Sequence, residues 1–460
     1  MKWIYPLCML GRAVLLLGLS SLAAADDDPA DVLIRLRDQA LAHAERIPNH
    51  TCVESVRRDR YESAARLAPR SCDTLLARRK LPGFSSSLRL ATTDRLRLDV
   101  LLATDREVYS WAGAKKFEEG EIDELVTEGA FGTGPFARML LSVLQGRDTR
   151  FIFEGDASFE GRRLLEYSFS VPVVNSRYRI KAQNDWVVTG YTGTILADPE
   201  TAELVRLSVR TEELPPETRS CETDSELEYS TVRLGNDDYL LPKMTRQRFI
   251  MRDGSEGENT ITFSACRDFR GESTLSFSSN AVDSKPASAA AASLNLPPGL
   301  PVMVELTSPP VRGDQAAAGD RIEGRLVNAI RDPVQQTIRV PAGASMAGRL
   351  MRVETRWGPR AEITFALRWE TVDVDGTPTL IELKPSRRVQ TLAVACSRGV
   401  SRSSCRCRAK SDTRFITSTG TTAYWIAAPG RSGSLPNRDD DALRGAIGVV
   451  PVNPSGRSQS

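Results

Sequence analysis

Between residues 151 and 263 one local pattern keeps returning: a few residues in which apolar and polar side chains alternate, then a turn signal. Segments 151–153, 164–169, 178–180, 186–189, 192–196, 204–209, 227–234, 244–251 and 259–263 all follow it. Asp198-Pro199-Glu200-Thr201, Asn236-Asp237-Asp238 and Arg252-Asp253-Gly254 punctuate the series. Alternation with period two puts the apolar side chains of a strand on one face. Connections this short leave no room for crossover helices, so successive strands must pair antiparallel. The pattern predicts a mostly β, α+β chain built on a large meandering antiparallel sheet or open barrel. Shorter β segments at 88–90, 96–100 and 108–111 precede it.

Helical spacing occurs in three places. Leu33, Leu36, Ala40, Ala44 and Ile47 recur every three or four residues, Pro29 suits a first turn, and Pro48 stops the run. Residues 121–127 and 135–144 read as two further helices joined by the Gly-rich stretch 129–134. The last of these is strongly apolar (Phe136, Met139, Leu140, Leu141, Val143, Leu144) and calls for a hydrophobic surface beneath it.

A chain of 460 residues exceeds what one core usually serves. Residues 281–298 are Ala, Ser and Pro with few bulky apolar side chains, which reads as a linker. Beyond it, segments 302–306, 321–327, 337–340, 346–353, 362–374 and 379–383 alternate again, so 299–390 reads as a small β-sandwich or barrel. Residues 391–460 are expected to be a disordered, basic tail. The divisions are thus 1–25, 26–280, 281–298, 299–390 and 391–460.

Residues 1–25 carry Lys2, an apolar run from Ala13 to Leu19 and Ala23-Ala24-Ala25, followed by three aspartates, the parts of a cleavable secretory signal. The alternative is a retained anchor, although Arg12 interrupts the apolar stretch. No later segment is apolar for long enough to cross a membrane as a helix. A periplasmic or secreted location follows, where cysteines pair by default. Loss of the signal leaves Cys52, Cys72, Cys221, Cys266, Cys396, Cys405 and Cys407. Cys52 and Cys72 flank a short Arg-rich stretch and are the expected disulfide, worth about 3 kcal/mol for a loop of about 20 residues. A Cys221–Cys266 pair is less favoured, because a simple meander puts those sulfurs at opposite ends.

Composition excludes several chemistries. A net charge of +2 argues against a nucleic-acid surface. The 2 histidines, His43 and His50, belong to no triad or zinc motif, and His50 reads as a turn residue. No phosphate loop is present, Asp375-Gly376 reads as a hairpin turn and not a calcium loop, and no cofactor is called for. Convergent carboxylates could still make a hydrolase. The Asn49-His50-Thr51 sequon matters only in a glycosylating host.

Gly190 to Thr201 (GYTGTILADPET), followed by Leu204-Val205-Arg206-Leu207, resembles the strand, Asp-Pro-x-Thr turn, strand unit of the LolA-like lipoprotein-carrier half-barrel, a likeness covering residues 30–278. The insertion 112–148 and the cysteine loop have no counterpart in it. Val340 to Ala344 with Gly348 is similar to a hairpin of TrbI-like envelope β-domains. The carrier resemblance implies a groove for a lipid or a lipoprotein acyl chain. The apolar residues put forward for it are Phe136, Met139, Leu140, Phe151 and Phe153, with 135–144 as a lid. Residues 299–390 would contact another envelope protein. The competing readings are a structural module whose groove is filled by its own helix, and a carboxylate-dependent hydrolase.

Overall fold

In a computed structural model the chain is mostly β. The structure describes residues 28–63, 71–82, 88–103, 106–114, 117, 137–146, 149–176, 178–182, 185–211, 214–269, 293–308, 315–332, 334–358, 362–385, 395–398, 405–408, 421–427 and 448–451. The signal, the helix expected at 121–127, the Gly-rich stretch 129–134 and most of the linker lie outside them. Three α-helices are described: α1 (Pro29–Arg46), α2 (Cys72–Arg79) and α3 (Ala137–Gln145). Asp28 caps α1 through a bond from the Ala30 N–H, and Ser71 caps α2 through one from Thr74.

The first part of the sheet contains β1 (His50–Ser63), β2 (Leu88–Ala103), β3 (Arg106–Trp111), β4 (Arg150–Phe159), β5 (Arg162–Val171), β8 (Tyr191–Ala197), β9 (Leu204–Thr211), β10 (Ser220–Leu234), β11 (Asp237–Met251) and β12 (Glu256–Asp268). A small hairpin of β6 (Arg179–Ala182) and β7 (Asp185–Val188) stands apart. The spatial order is β4, β5, β8, β9, β10, β11, β12, β1, β2, β3, each pair antiparallel. One rung crosses nine of these strands: Phe153, Tyr167, Ile195, Leu207, Leu227, Thr245, Ile261, Val56 and Leu96 stand opposite one another in turn. Residues opposed in a ladder share a face. Along this rung the face is apolar apart from Thr245, and its β5–β9 part packs against α1 and α3.

Residues 53–63, part of the Arg-rich stretch between Cys52 and Cys72 that was expected to be a loop, belong to the central strand β1. The three short segments between 88 and 111 are two strands, the long β2 and β3.

Later come β13 (Pro301–Leu306), β14 (Arg321–Leu326), β15 (Ile330–Arg331), β16 (Ile338–Val340), β17 (Ser345–Arg356), β18 (Glu362–Val374), β19 (Thr377–Leu380), β20 (Leu383–Pro385), β21 (Ala395–Arg398), β22 (Cys405–Arg408), β23 (Thr421–Ala427) and β24 (Gly448–Pro451). β17 bends across the two parts: its start pairs with β14, and Glu354, Thr355 and Arg356 pair with Asp94, Thr93 and Thr92 of β2. A separate apolar cluster around Trp369, Phe365, Val353 and Leu350 fills this part, and Leu296 from the linker's end joins it. Residues 391–460 contribute strands despite their expected disorder: β23 pairs with β13 and β20, and β24 with β18.

The disulfides differ from expectation. Cys52 is bonded to Cys266 and Cys72 to Cys221, with Cα–Cα distances of 4.1 and 5.2 Å. A Cys52–Cys72 bridge is not formed, because Cys52 sits near the start of a 14-residue strand that carries the chain away from it. Cys221 and Cys266 do lie at opposite ends of the β10–β12 meander, and each finds another partner. Both stand at register shifts, between Ser220 and Glu222 on β10 and opposite the Thr51–Val53 step of β1. A bulge turns such a side chain out of the regular alternation.

α2 buries no residue of its own. It is stitched down at its first residue by Cys72–Cys221 and near its end by an ion pair from Arg79 to Glu256 on β12. Non-reducing peptide mapping should therefore return Cys52–Cys266 and Cys72–Cys221. Cys72→Ala with Cys221→Ala should make α2 protease-sensitive at Arg78 or Arg79 while the sheet's circular dichroism persists. Loss of the whole β signal in that variant would contradict this account.

Candidate functional site

The concave face has an apolar half and a polar half. In the apolar half, β5 supplies Leu165, Tyr167, Phe169 and Val171, all buried, at the spacing of two that a half-covered strand requires. β8 and β9 add Tyr191, Ile195, Leu207 and Val209. From the other side α1 lays Val32, Leu36 and Ala40 on this surface, and α3 lays Leu140, Val143 and Leu144. α1 is tied to the β8–β9 turn by Arg35 and Gln39, which donate to the carbonyls of Pro199, Glu200 and Thr201. The turn is held by Asp198, whose Oδ1 accepts from the Glu200 and Thr201 N–H groups.

Among the described residues, α3 is held by its apolar face and by two polar contacts. Arg37 Nη2 donates to the Leu144 carbonyl at 2.9 Å, and the Ser142 and Tyr191 hydroxyls bond at 2.9 Å. It shares no ladder with the sheet.

Of the residues put forward from sequence, Leu140 is buried in this cluster, and Phe151 packs against the same cluster from β4. Phe151 is tilted on Phe169 at 5.9 Å between centroids, with the Arg37 guanidinium 5.8 Å from its ring centre. Phe153 stacks on Tyr167 at 5.6 Å but is 44% exposed, at the open edge beside Ile152. Met139 lies on α3, and Phe136 lies outside the described residues.

The residues that reading missed are the aromatic partners. Phe151, Phe169, Tyr191 and Tyr178 form a chain of ring contacts between 5.8 and 6.3 Å. Tyr167 donates to the Pro29 carbonyl at 2.6 Å, and burial pushes its phenol up to about 12. The signal for them was present: Leu165, Tyr167, Phe169 and Val171 alternate as strictly as any segment in the chain. Gly193 makes room for this packing. A Cβ there would lie 2.5 Å from the Phe169 ring and 2.0 Å from the Ser208 carbonyl.

Toward β1 the same face turns polar, with Ser225, Gln247 and Asn259 buried in successive strands. Glu54, opposite Leu98 and Phe263, is 1% exposed. Burial, with a smaller push from Glu107, raises its carboxyl to about 8. Glu107 itself accepts from the Tyr109 hydroxyl at 2.8 Å. His50, expected in a turn, is the first residue of β1. It is buried, bonded to the Pro48 carbonyl, and lowered in pKa chiefly by burial. Among the described residues, no three His, Cys, Asp or Glu side chains cluster as metal ligands would, and no helix is long and apolar enough to cross a membrane.

Several solved structures are similar to this chain. One is a putative outer membrane lipoprotein-sorting protein domain from Vibrio parahaemolyticus, 13% identical at a TM-score of 0.26 over 52% of this chain and 93% of that one. Another is a DUF1329 family protein from Desulfovibrio piger, 10% identical at 0.24 over 53% and 92%. The third is a LolA superfamily protein from Nitrosomonas europaea, 6% identical at 0.23 over 53% and 94%. The names of the first and third are of the kind that residues 190–207 resemble. The half-barrel stands on its strand register. No protein-family model matches the sequence, and no curated protein matches it.

Two substitutions probe this face. Gly193→Ala should cost about 2 kcal/mol or more, since the added carbon meets backbone and a buried ring, and urea melts that coincide with the wild type would refute the packing described. Glu54 has its folded-state pKa raised, so between 4.5 and about 8 the folded chain holds a proton that the unfolded chain gives up. Its contribution to stability is whole below the lower value and lost as pH rises to the upper one. Glu54→Gln should thus melt higher than wild type at pH 8, by roughly 5 °C, and should match it near pH 4. Parallel pH curves would show that Glu54 is not the titrating group.

Proposed function

We propose that the protein is a non-catalytic, exported envelope component whose half-barrel takes up an apolar or amphipathic ligand, a lipid or a lipoprotein acyl chain, beneath α3. The observation that carries this reading is the way the apolar half of the concave face is closed. A nine-residue helix covers it, and the apolar surface continues past that helix to Phe151 and Phe153 at the sheet edge. Moving α3 would break no strand pairing. An acyl chain in its place would recover apolar burial at about 25 cal/mol per Å² against Tyr167, Phe169 and Tyr191. Phe136, Met139 and Leu140 would line the ligand from the helix side, and Phe151 and Phe153 from the sheet side. Two disulfides suit an oxidising compartment such as the periplasm. The part built on residues 299–390 would serve as the smaller domain and contact a further envelope protein.

Native mass spectrometry of protein purified from a bacterial envelope should show a lipid-sized adduct, and the delipidated protein should take up a fluorescent fatty acid. Tyr191→Phe removes the bond to Ser142 and should speed that uptake several-fold. Absence of both adduct and uptake would leave α3 as a permanent filling and the chain as a structural interaction module.

A further inference from the structure

At one end of the half-barrel the sheet stops on a bare strand. β4 heads the spatial order and pairs with β5, and among the described residues no backbone bond reaches its other side. Half of its N–H and C=O groups therefore point outward, as on any edge. Folded proteins usually blunt such an edge with Lys, Pro or an inward-pointing charge. β4 contains neither Lys nor Pro, and its residues 150–154 read Arg-Phe-Ile-Phe-Glu. Ile152 is 62% exposed, and Phe153 is open to solvent beside it.

Local geometry limits what can pair here. Arg150, Phe151, Ile152 and Phe153 stand opposite Ser170, Phe169, Ser168 and Tyr167 of β5 in unbroken register, which then shifts between Phe153 and Gly155. Gly155 takes φ +126°, a conformation that suits glycine alone. A bulge of this kind bends the strand, so the regular edge ends at Glu154. Within it the two faces are fixed. Phe151 and Phe153 lie with Phe169 and Tyr167 on the groove face. Arg150 and Ile152 lie on the other face. Glu154 joins them there, since its carboxylate accepts from the hydroxyl of Ser168, the residue opposite Ile152. Arg150, Ile152 and Glu154 are all exposed.

This short edge is its own complement. Four residues along a strand put Arg150 and Glu154 about 13 Å apart, too far to pair within one copy. A second copy can answer both. Laid antiparallel about a two-fold axis normal to the sheet at Ile152, the two edges set each Arg150 against the other copy's Glu154. Each Phe151 meets a Phe153, and Ile152 meets Ile152. Residues opposed in a ladder share a face, so the ion pairs flank the isoleucines on the outer face and the aromatic pairs fall on the groove face. Moving the axis to Phe151 or Phe153 would oppose Ile152 to a charge, Arg150 or Glu154.

We propose that two copies of the chain associate edge to edge through residues 150–154 of β4 in this register. The contact is isologous and closed, and it continues one sheet into the other by added-strand pairing. Its area is small, so the dimer is weak, with a Kd on the order of micromolar.

The test is sedimentation equilibrium of the full mature chain over a wide range of concentration, where a reversible monomer–dimer equilibrium is expected. Arg150→Glu and Glu154→Arg each place two like-charged pairs at the contact and should weaken it by at least about tenfold. The double swap rebuilds both ion pairs with the signs exchanged and should restore the dimer, which also shows that these variants fold. Mixed in equal amounts, the two single variants should form a heterodimer tighter than either homodimer. Hydrogen exchange at 150–154 should slow only as dimer forms. A monomer at every concentration overturns the proposal, and so do open polymers, in which β4 meets a different edge. A dimer indifferent to the reversals or not restored by the swap overturns it as well. So does protection of 150–154 in the monomer, which would mean that the chain covers its own edge. Arg150, Ile152 and Glu154 lie off the groove face, so this outcome is read separately from lipid uptake.

Discussion

Everything in this molecule hangs on register. A single rung runs from Phe153 on β4 to Leu96 on β2, and eight successive pairings keep it on one face. A slip of one residue at any of them would carry a strand's whole apolar set to the other face. The helices depend on it too, since α1 and α3 rest on the apolar surface that this rung and its neighbours create.

The strands of residues 151–263 were legible because each carries its own alternation and its own turn residues. α1 was legible from spacing, Pro29 and Pro48. β1 was not. His50-Thr51-Cys52-Val53-Glu54 and the arginines after it have the composition of a solvated loop. Their side chains are placed by long-range pairing, with Arg58 answered by Asp94 at 2.6 Å across the ladder. The expected Cys52–Cys72 bridge goes with it, because residues 53–63 between the two cysteines are strand. In the groove, Leu140 and Phe151 could be chosen from local apolarity. Tyr191 and Phe169 could be joined to them only once the strand order was known. Glu54 carries no local signal at all: its burial comes from Leu98 and Phe263, strands supplied by distant parts of the chain.

The two parts of the chain are less separate than an Ala/Ser/Pro linker implies. β2 is shared: β1 flanks it throughout, while on its other side β17 takes residues 92–94 and β3 takes 98–103. Trp357 reinforces the seam, donating its indole N–H to the Thr93 hydroxyl at 2.9 Å. A change at the edge of one part therefore has a continuous hydrogen-bonded route into the other, which a flexible linker alone would not provide.

The central position of β1 also has a bearing on time. Its partners are β2, which follows soon after, and β12, which ends at residue 268. A chain threaded through a pore with its N-terminus first would hold one flank of β1 unpaired until more than half its length had come through. Until then the strand that ends in the middle of the sheet is an open edge, able to pair with any extended segment it meets. Its run of Arg57, Arg58 and Arg60 beside Asp59 and Glu62 is the kind of charged sequence that keeps such an edge soluble while it waits.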